Sequence, residues 1–178
     1  MRIISGKYKG KKIDGFNIDG TRPTMDRIKE SLFGSIQNYI KDSICLDLFA
    51  GSGSLGFEAL SNGADKCYFV DKNNIVVKQL NKTKNMLNIT NGVILNSDYK
   101  DALDTFKKEN IKFDIIFLDP PYKFNLIGPC LELIYKHNLL SEKGIIVCEY
   151  ENEEFDIKNF RLLKEKKYGL KKIKIITS

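Results

Sequence analysis

Five short apolar runs, at 44–49, 67–70, 93–95, 113–118 and 144–148, alternate along the chain with segments of helical spacing at 55–60, 74–87, 101–108 and 126–135. This rhythm constrains the fold more than any other feature. Short buried strands separated by amphipathic helices demand crossover connections, and crossovers give a mostly parallel sheet covered by helices on its faces. The rhythm breaks near the end. Two strand-like runs, 161–168 and 171–177, are joined by little more than Gly169, too close for a helical crossover. They predict a hairpin, and with it one antiparallel strand in a sheet of seven. The fold class expected is α/β and Rossmann-like, as one domain over residues 1–178.

The beginning of the chain differs again. Residues 1–15 place two short runs around a turn with Gly6 and Gly10, which predicts a small basic β-hairpin ahead of the main domain. Thr24 then reads as the cap of a helix, with Pro23 at its start and Ile28, Leu32, Phe33, Ile36 and Ile40 on one face. The net charge is +6, but it is unevenly spread: eight Lys/Arg stand against three Asp over 1–29, and eight against one Glu over 158–178. Both ends are basic and the middle is acidic, the pattern of a protein that docks a polyanion through its ends. Arg2, Lys7, Lys9, Lys11 and Lys12 are the candidate contacts for such a partner. No apolar run approaches the roughly 18 residues of a membrane span. The early lysines interrupt any signal-peptide core, so a cytoplasmic protein is expected. None of the four cysteines forms a C-x-x-C pair, and no metal site is expected. Cys45, Cys67 and Cys148 read as reduced core thiols, and Cys130 as a helix residue without a role. His137, the only histidine, reads as a solvated helix end.

The first strand runs into Asp47-Leu48-Phe49-Ala50-Gly51-Ser52-Gly53-Ser54-Leu55-Gly56, and Asp71 follows the second strand 20 residues after Gly51. Glycines between a strand and a helix let backbone approach a bound cofactor. A carboxylate at that spacing accepts hydrogen bonds from ribose hydroxyls. A dinucleotide would need its pyrophosphate at the helix start. Asp47 would repel a pyrophosphate but suits the cationic amino group of S-adenosylmethionine, so the sulfonium cofactor is favoured. Asp98, after the third strand, reads as an acceptor for an adenine amino group or as a helix cap, and the two roles are compatible.

The fourth strand ends in Asp119-Pro120-Pro121-Tyr122. Tandem prolines are stiff and donate no backbone hydrogen bonds, so the carbonyls there act as fixed acceptors. The amino group of a nucleobase is a poor nucleophile because its lone pair is delocalised into the ring. Acceptors on its two N–H bonds, the Asp119 carboxylate and the Pro120 carbonyl, favour the tetrahedral nitrogen that attacks a methyl sulfonium and offset its developing charge. Tyr122 offers a ring to stack on the base. No covalent nucleophile is needed, only alignment.

The Asp119 to Tyr122 loop resembles the (D/N)PP(Y/F) motif of class I amino-methyltransferases, and 47–53 resembles their glycine loop. The opening residues 1–10 and 21–33, together with the closing Tyr168-Gly169 hairpin, are similar to the RsmD family of bacterial ribosomal RNA guanine-N2 methyltransferases. The resemblance covers nearly the whole chain. It implies a class I methyltransferase fold and methylation of guanine N2 in a 16S ribosomal RNA hairpin loop, within small-subunit particles; separately, a monomer is expected. It also implies that Arg22, Pro23 and Thr24 border the cofactor's amino acid end, although Arg22 could instead meet RNA phosphate. The full cofactor-binding set expected is these three with Asp47, Phe49, Gly51, Ser52, Gly53, Asp71, Lys72, Asp98, Tyr99 and Asp119. Met25 departs from the family, which usually has a second Thr there, and 71–73 is one version of a variable segment.

A DNA adenine-N6 methyltransferase would share both loops but usually carries extra sequence to read its target. A protein glutamine methyltransferase usually has Asn at the position of Asp119, and a helical N-terminal domain. A non-catalytic RNA-binding module would explain the basic ends but not Asp47, Asp71 and Asp119 gathered at one cleft.

Overall fold

The computed structural model describes residues 1–13 and 22–178, with side chains from Met25 onward in the second stretch. Its elements run α1 (Arg22–Ile40), β1 (Ile44–Asp47), α2 (Ser54–Ser61), β2 (Lys66–Asp71), α3 (Asn74–Met86), β3 (Gly92–Asn96), α4 (Tyr99–Lys108), β4 (Phe113–Leu118), α5 (Ile127–Lys136), β5 (Leu140–Tyr150), β6 (Arg161–Tyr168) and β7 (Lys171–Thr177). The seven strands form one sheet in the order β3-β2-β1-β4-β5-β7-β6. Five are parallel, and β7 runs antiparallel between β5 and β6. The α/β class and the reversed C-terminal strand are therefore as expected.

Strand periodicity sorts the core into two layers. Along β4, Ile115 and Phe117 point to one face with α1, α2 and α3, while Ile116 and Leu118 point to the other with α4 and α5. Both faces being covered explains why these strands read as continuous apolar runs rather than as alternation. The four cysteines are free and buried, Cys130 included. Burial raises the thiol of Cys45 to about 12, which keeps it protonated and inert.

Residues 1–13 fold back on themselves. Arg2 and Lys12 form one antiparallel bridge, Ile3 N donates to Lys11 O at 2.9 Å, and Ile13 N donates to Met1 O at 2.9 Å. Ile3 and Ile13 are buried in the same layer as α1. The hairpin is thus fastened to the domain by its apolar residues while its lysines stay exposed. Residues 14 and 15, the end of the expected hairpin, lie outside the described residues.

Three expectations need correction. Helix α1 starts at Arg22, so Thr24 lies within the helix rather than capping it, and Pro23 falls in the first turn, where proline costs no hydrogen bond. Strand β5 begins at Leu140, four residues before the apolar run, because Phe113 pairs Leu140 ahead of a register shift. His137 is not a solvated helix end. It ends α5, but only 6% of its side chain is exposed, and Nε2 meets Asp104 Oδ1 at 2.7 Å. No helix among the described residues is long and apolar enough to cross a membrane.

Candidate active site

The chain leaves β1 toward β3 on one side and returns to β4 on the other, so a crevice opens where the connections diverge. In open α/β sheets, ligands bind at this point, outside the carboxyl ends of the strands. Here a cavity of about 850 Å³ occupies it. Asp47, Asp71, Asp98, Asp119 and Glu149, from the ends of five adjacent segments, all border the cavity.

One half is built by the loops after β1, β2 and β3. Asp47 is 2% exposed, and its Oδ2 accepts from Gly56 N at 3.0 Å. An internal carboxylate thus satisfies the start of α2, the place where a pyrophosphate would otherwise sit. Burial, opposed by the Gly56 hydrogen bond and reinforced by the Asp71 charge, raises Asp47 to about 7. A cationic group entering the cavity would relieve that cost. Asp71 Oδ2 accepts from Gly51 N at 3.1 Å, and its Oδ1 from Asn73 N at 2.8 Å. Each oxygen has two lone pairs, so one acceptor position remains on each for a pair of hydroxyls. Asp98 caps α4, with Oδ1 accepting from Lys100 N at 3.0 Å, and also borders the cavity, so both roles foreseen for it are compatible. Phe49 and Tyr99 meet with ring centroids 5.6 Å apart.

Most of the expected cofactor set gathers here: Asp47, Phe49, Gly51, Ser52, Asp71, Lys72, Asp98, Tyr99 and Asp119 all border the cavity. Gly53 does not. Its φ is +76°, and a Cβ there would lie 2.6 Å from the Phe57 ring and 2.7 Å from Leu80. It serves the turn and the packing of α2. The side chains of Arg22, Pro23 and Thr24 lie outside the described residues. The donor set fits S-adenosylmethionine: acids for hydroxyls and amines, a buried acid awaiting a cation, and a helix start already occupied by a carboxylate.

The other half is built by β4, β5 and β7. Leu118 pairs Cys148 across β4 and β5, which sets Asp119 beside Glu149 at the strand ends. Tyr122 OH donates to Glu149 Oε1 at 3.3 Å, and Lys171, the first residue of β7, forms an ion pair with the same oxygen. Burial and then the Glu149 charge push the Asp119 carboxyl well above the usual range, while Lys171 pulls the other way. Burial disfavours the Lys171 ammonium, yet the charge and hydrogen bond of Glu149, with Asp119 and Tyr122, together outweigh it and hold the lysine above its ordinary value. The Pro121 carbonyl accepts from Phe124 N at 3.2 Å within a 3-10 turn over Tyr122–Phe124. Among the described residues the Pro120 carbonyl accepts no hydrogen bond.

Sequence reasoning missed several groups. Lys29 is 6% exposed and borders the cavity. Its Nζ reaches Glu58 Oε2 at 3.0 Å, Arg2 O at 2.7 Å and Ser54 Oγ at 3.0 Å. Glu58 is fully buried and accepts from Ile4 N at 3.0 Å and Ser5 N at 2.9 Å. This pair bolts the hairpin, α1 and α2 together. Its signal was present: Lys29 lies on the apolar stripe of Phe33 and Ile36, and Glu58 interrupts an apolar helix. Glu149 and Lys171 carried no such signal. The basic side chains of the hairpin are exposed, with Arg2 also paired to Asp26 at 3.1 Å. Met1 borders the cavity, so the hairpin stands at its rim.

Residues 1–177 match the family model described as "Conserved hypothetical protein 95". The chain belongs to this family. A relative in Haemophilus influenzae, "Ribosomal RNA small subunit methyltransferase D", is 41% identical over 96% of this chain and 90% of its own length. The protein of the same name in Escherichia coli K12 is 35% identical over 86% of this chain and 76% of its own. A solved structure titled "Putative methyltransferase yhhF from Escherichia coli" covers 99% of this chain and 96% of its own, with a TM-score of 0.85 at 33% identity. The family resemblance seen in the opening residues and the acidic loops is thereby shown, and with it the class I methyltransferase fold and activity.

Proposed function

We propose that the protein transfers a methyl group from S-adenosylmethionine to the exocyclic N2 of a guanine in 16S ribosomal RNA, acting as a cytoplasmic monomer on small-subunit particles. The observation that carries the reading is the Asp119-Pro120-Pro121-Tyr122 loop facing an acid-lined cofactor crevice within one cavity. The names of the relatives support ribosomal RNA of the small subunit as substrate. The resemblance of residues 1–10 and 21–33 to the RsmD family supports guanine N2.

Asp47, Asp71 and Asp98 hold the cofactor's amino and hydroxyl groups, with Phe49, Gly51, Ser52, Lys72 and Tyr99 forming the surrounding wall. When bound, S-adenosylmethionine supplies an electrophilic methyl group and leaves as a neutral thioether. The Asp119 carboxylate and the Pro120 carbonyl accept the two N–H bonds of the guanine amine and hold its lone pair toward the methyl group. Methyl transfer would leave the guanine amine cationic, with one proton to lose. Asp119, raised by burial and by Glu149, is well placed to take it. Tyr122 holds the base by its ring. The base enters unstacked from a loop, where extrusion costs less than from a duplex. The exposed Lys7, Lys9, Lys11 and Lys12, with Arg2, meet RNA phosphates at the rim.

Two measurements test this. Mass spectrometry of 16S RNA from cells lacking the protein should show loss of one N2-methylguanosine. Asp119→Ala should lose transfer by at least about 100-fold while keeping cofactor affinity. Near-normal turnover in that variant would refute the loop's role.

A further inference from the structure

The methyl-transfer step gives Glu149 only an influence on Asp119 and leaves Lys171 without a role. Glu149 is 7% exposed at the cavity wall, and a buried carboxylate beside a second one is costly. Its described protein contacts, Tyr122 OH and Lys171 Nζ, both fall on Oε1, and a carboxylate offers about four acceptor positions. The site therefore holds two acids against one ammonium, with acceptor capacity to spare.

The strand order arranges these groups in sequence. β4, β5 and β7 are neighbours, Asp119 follows β4, Glu149 lies near the end of β5, and Lys171 opens β7 at the same edge because β7 is reversed. Across the cleft this reads acceptor, acceptor, donor. The Watson–Crick edge of guanine reads donor, donor, acceptor: the N2 amine, N1–H and O6. Of the bases with an exocyclic amine, only guanine sets a ring N–H donor beside it. Adenine and cytosine place a ring acceptor there, which Glu149 would repel. We infer that Glu149 and Lys171 are the specificity-determining residues of the site, Glu149 accepting from guanine N1–H and Lys171 donating to O6 while Asp119 accepts from N2. This rests on the guanine reading above and names the groups that enforce it.

A pair that only fastens β5 to β7 would affect all bases alike, so the test is a ratio. Small-subunit particles are assembled with 16S RNA whose target guanine, located by the mass spectrometry above, is replaced by 2-aminopurine. That base keeps the 2-amino group but lacks N1–H and O6. The wild type should show kcat/KM about 100-fold higher for guanine. Glu149→Gln should shrink the ratio to about tenfold or less, and Lys171→Met should shrink it too, with cofactor affinity retained. Equal losses on both substrates, with the ratio intact, overturn the inference. A measurement free of variants guards against misfolding. Inosine, which keeps N1–H and O6 but has no amine, should make the particle an inhibitor of the wild type at least about tenfold stronger than adenine at the same position. Equal inhibition also overturns it. If the wild type leaves the guanine control unmethylated, the guanine reading itself fails. A methylated control with an unchanged ratio refutes only the roles of Glu149 and Lys171.

Discussion

Replacing Lys29 by Met would keep most of the side-chain volume and remove the ammonium. The loss follows from what the ammonium holds. Glu58 would remain fully buried without its counter-charge, and Arg2 O and Ser54 Oγ would each lose a donor. Removing one partner of a buried ion pair costs about 3–5 kcal/mol. Glu58 keeps the Ile4 and Ser5 N–H groups and the Ser5 hydroxyl at 2.8 Å, which solvate its charge and set the cost at the low end, about 3 kcal/mol. For a chain of this size each kcal/mol moves the midpoint by about 2–4 °C, so thermal unfolding should fall by about 6–12 °C. Differential scanning calorimetry measures this directly. Because the pair fastens the hairpin, the Ile3 and Ile13 amides should also exchange with solvent sooner than those of β4. The double variant Lys29→Met, Glu58→Gln should recover more than half of the loss, since it leaves no uncompensated charge. A drop under 2 °C, or a double variant no better than the single one, would refute the reasoning.

Three further outcomes are expected. Asp47 is raised in the fold from 3.8 to about 7, so the folded state holds this proton more tightly than the unfolded chain; its stabilising contribution is full below pH 4 and is lost as pH rises to 7, and Asp47→Asn should flatten the midpoint-versus-pH curve across that window. Gly56→Ala would set a Cβ 2.3 Å from the Phe69 ring, which should lift α2 from the sheet and lower the midpoint by about 5 °C in the same calorimetric assay. Changing Lys7, Lys9, Lys11 and Lys12 to Gln should weaken RNA binding and reduce the slope of log affinity against log salt by about 3 in filter-binding titrations, whereas an unchanged slope would place the RNA elsewhere.

The crevice was legible where its chemistry is local. Asp47 to Gly56 and Asp119 to Tyr122 are contiguous segments whose roles follow from strand ends and turns. The sheet was legible because strands covered on both faces must be apolar throughout. Glu149 and Lys171 were not, because their meeting depends on how β5 pairs with the reversed β7, and register of that kind is set by long-range packing. Lys29 and Glu58 lie 29 positions apart; each stands out locally as a charge on an apolar helix face, but their pairing depends on how the hairpin, α1 and α2 pack together. His137 misled for a similar reason: its partner, Asp104, belongs to the preceding helix and not to its own neighbourhood.

The reversal of β7 has a consequence for how such a protein can diversify. On the proposed reading the carboxyl end of the sheet is divided in two: the loops after β1, β2 and β3 would meet the methyl donor, while the ends of β4 and β5 and Lys171 at the start of β7 would meet the acceptor. The turn is tight, built on Gly169 at φ +61°, and the adjacent Leu170 is 73% exposed. Lengthening that turn, or exchanging residues at its foot, would alter what the cleft admits while leaving Asp47, Asp71 and Asp98 on the donor side in place. Acceptor preference can therefore drift among descendants of one ancestor while the means of carrying the methyl group is inherited unchanged.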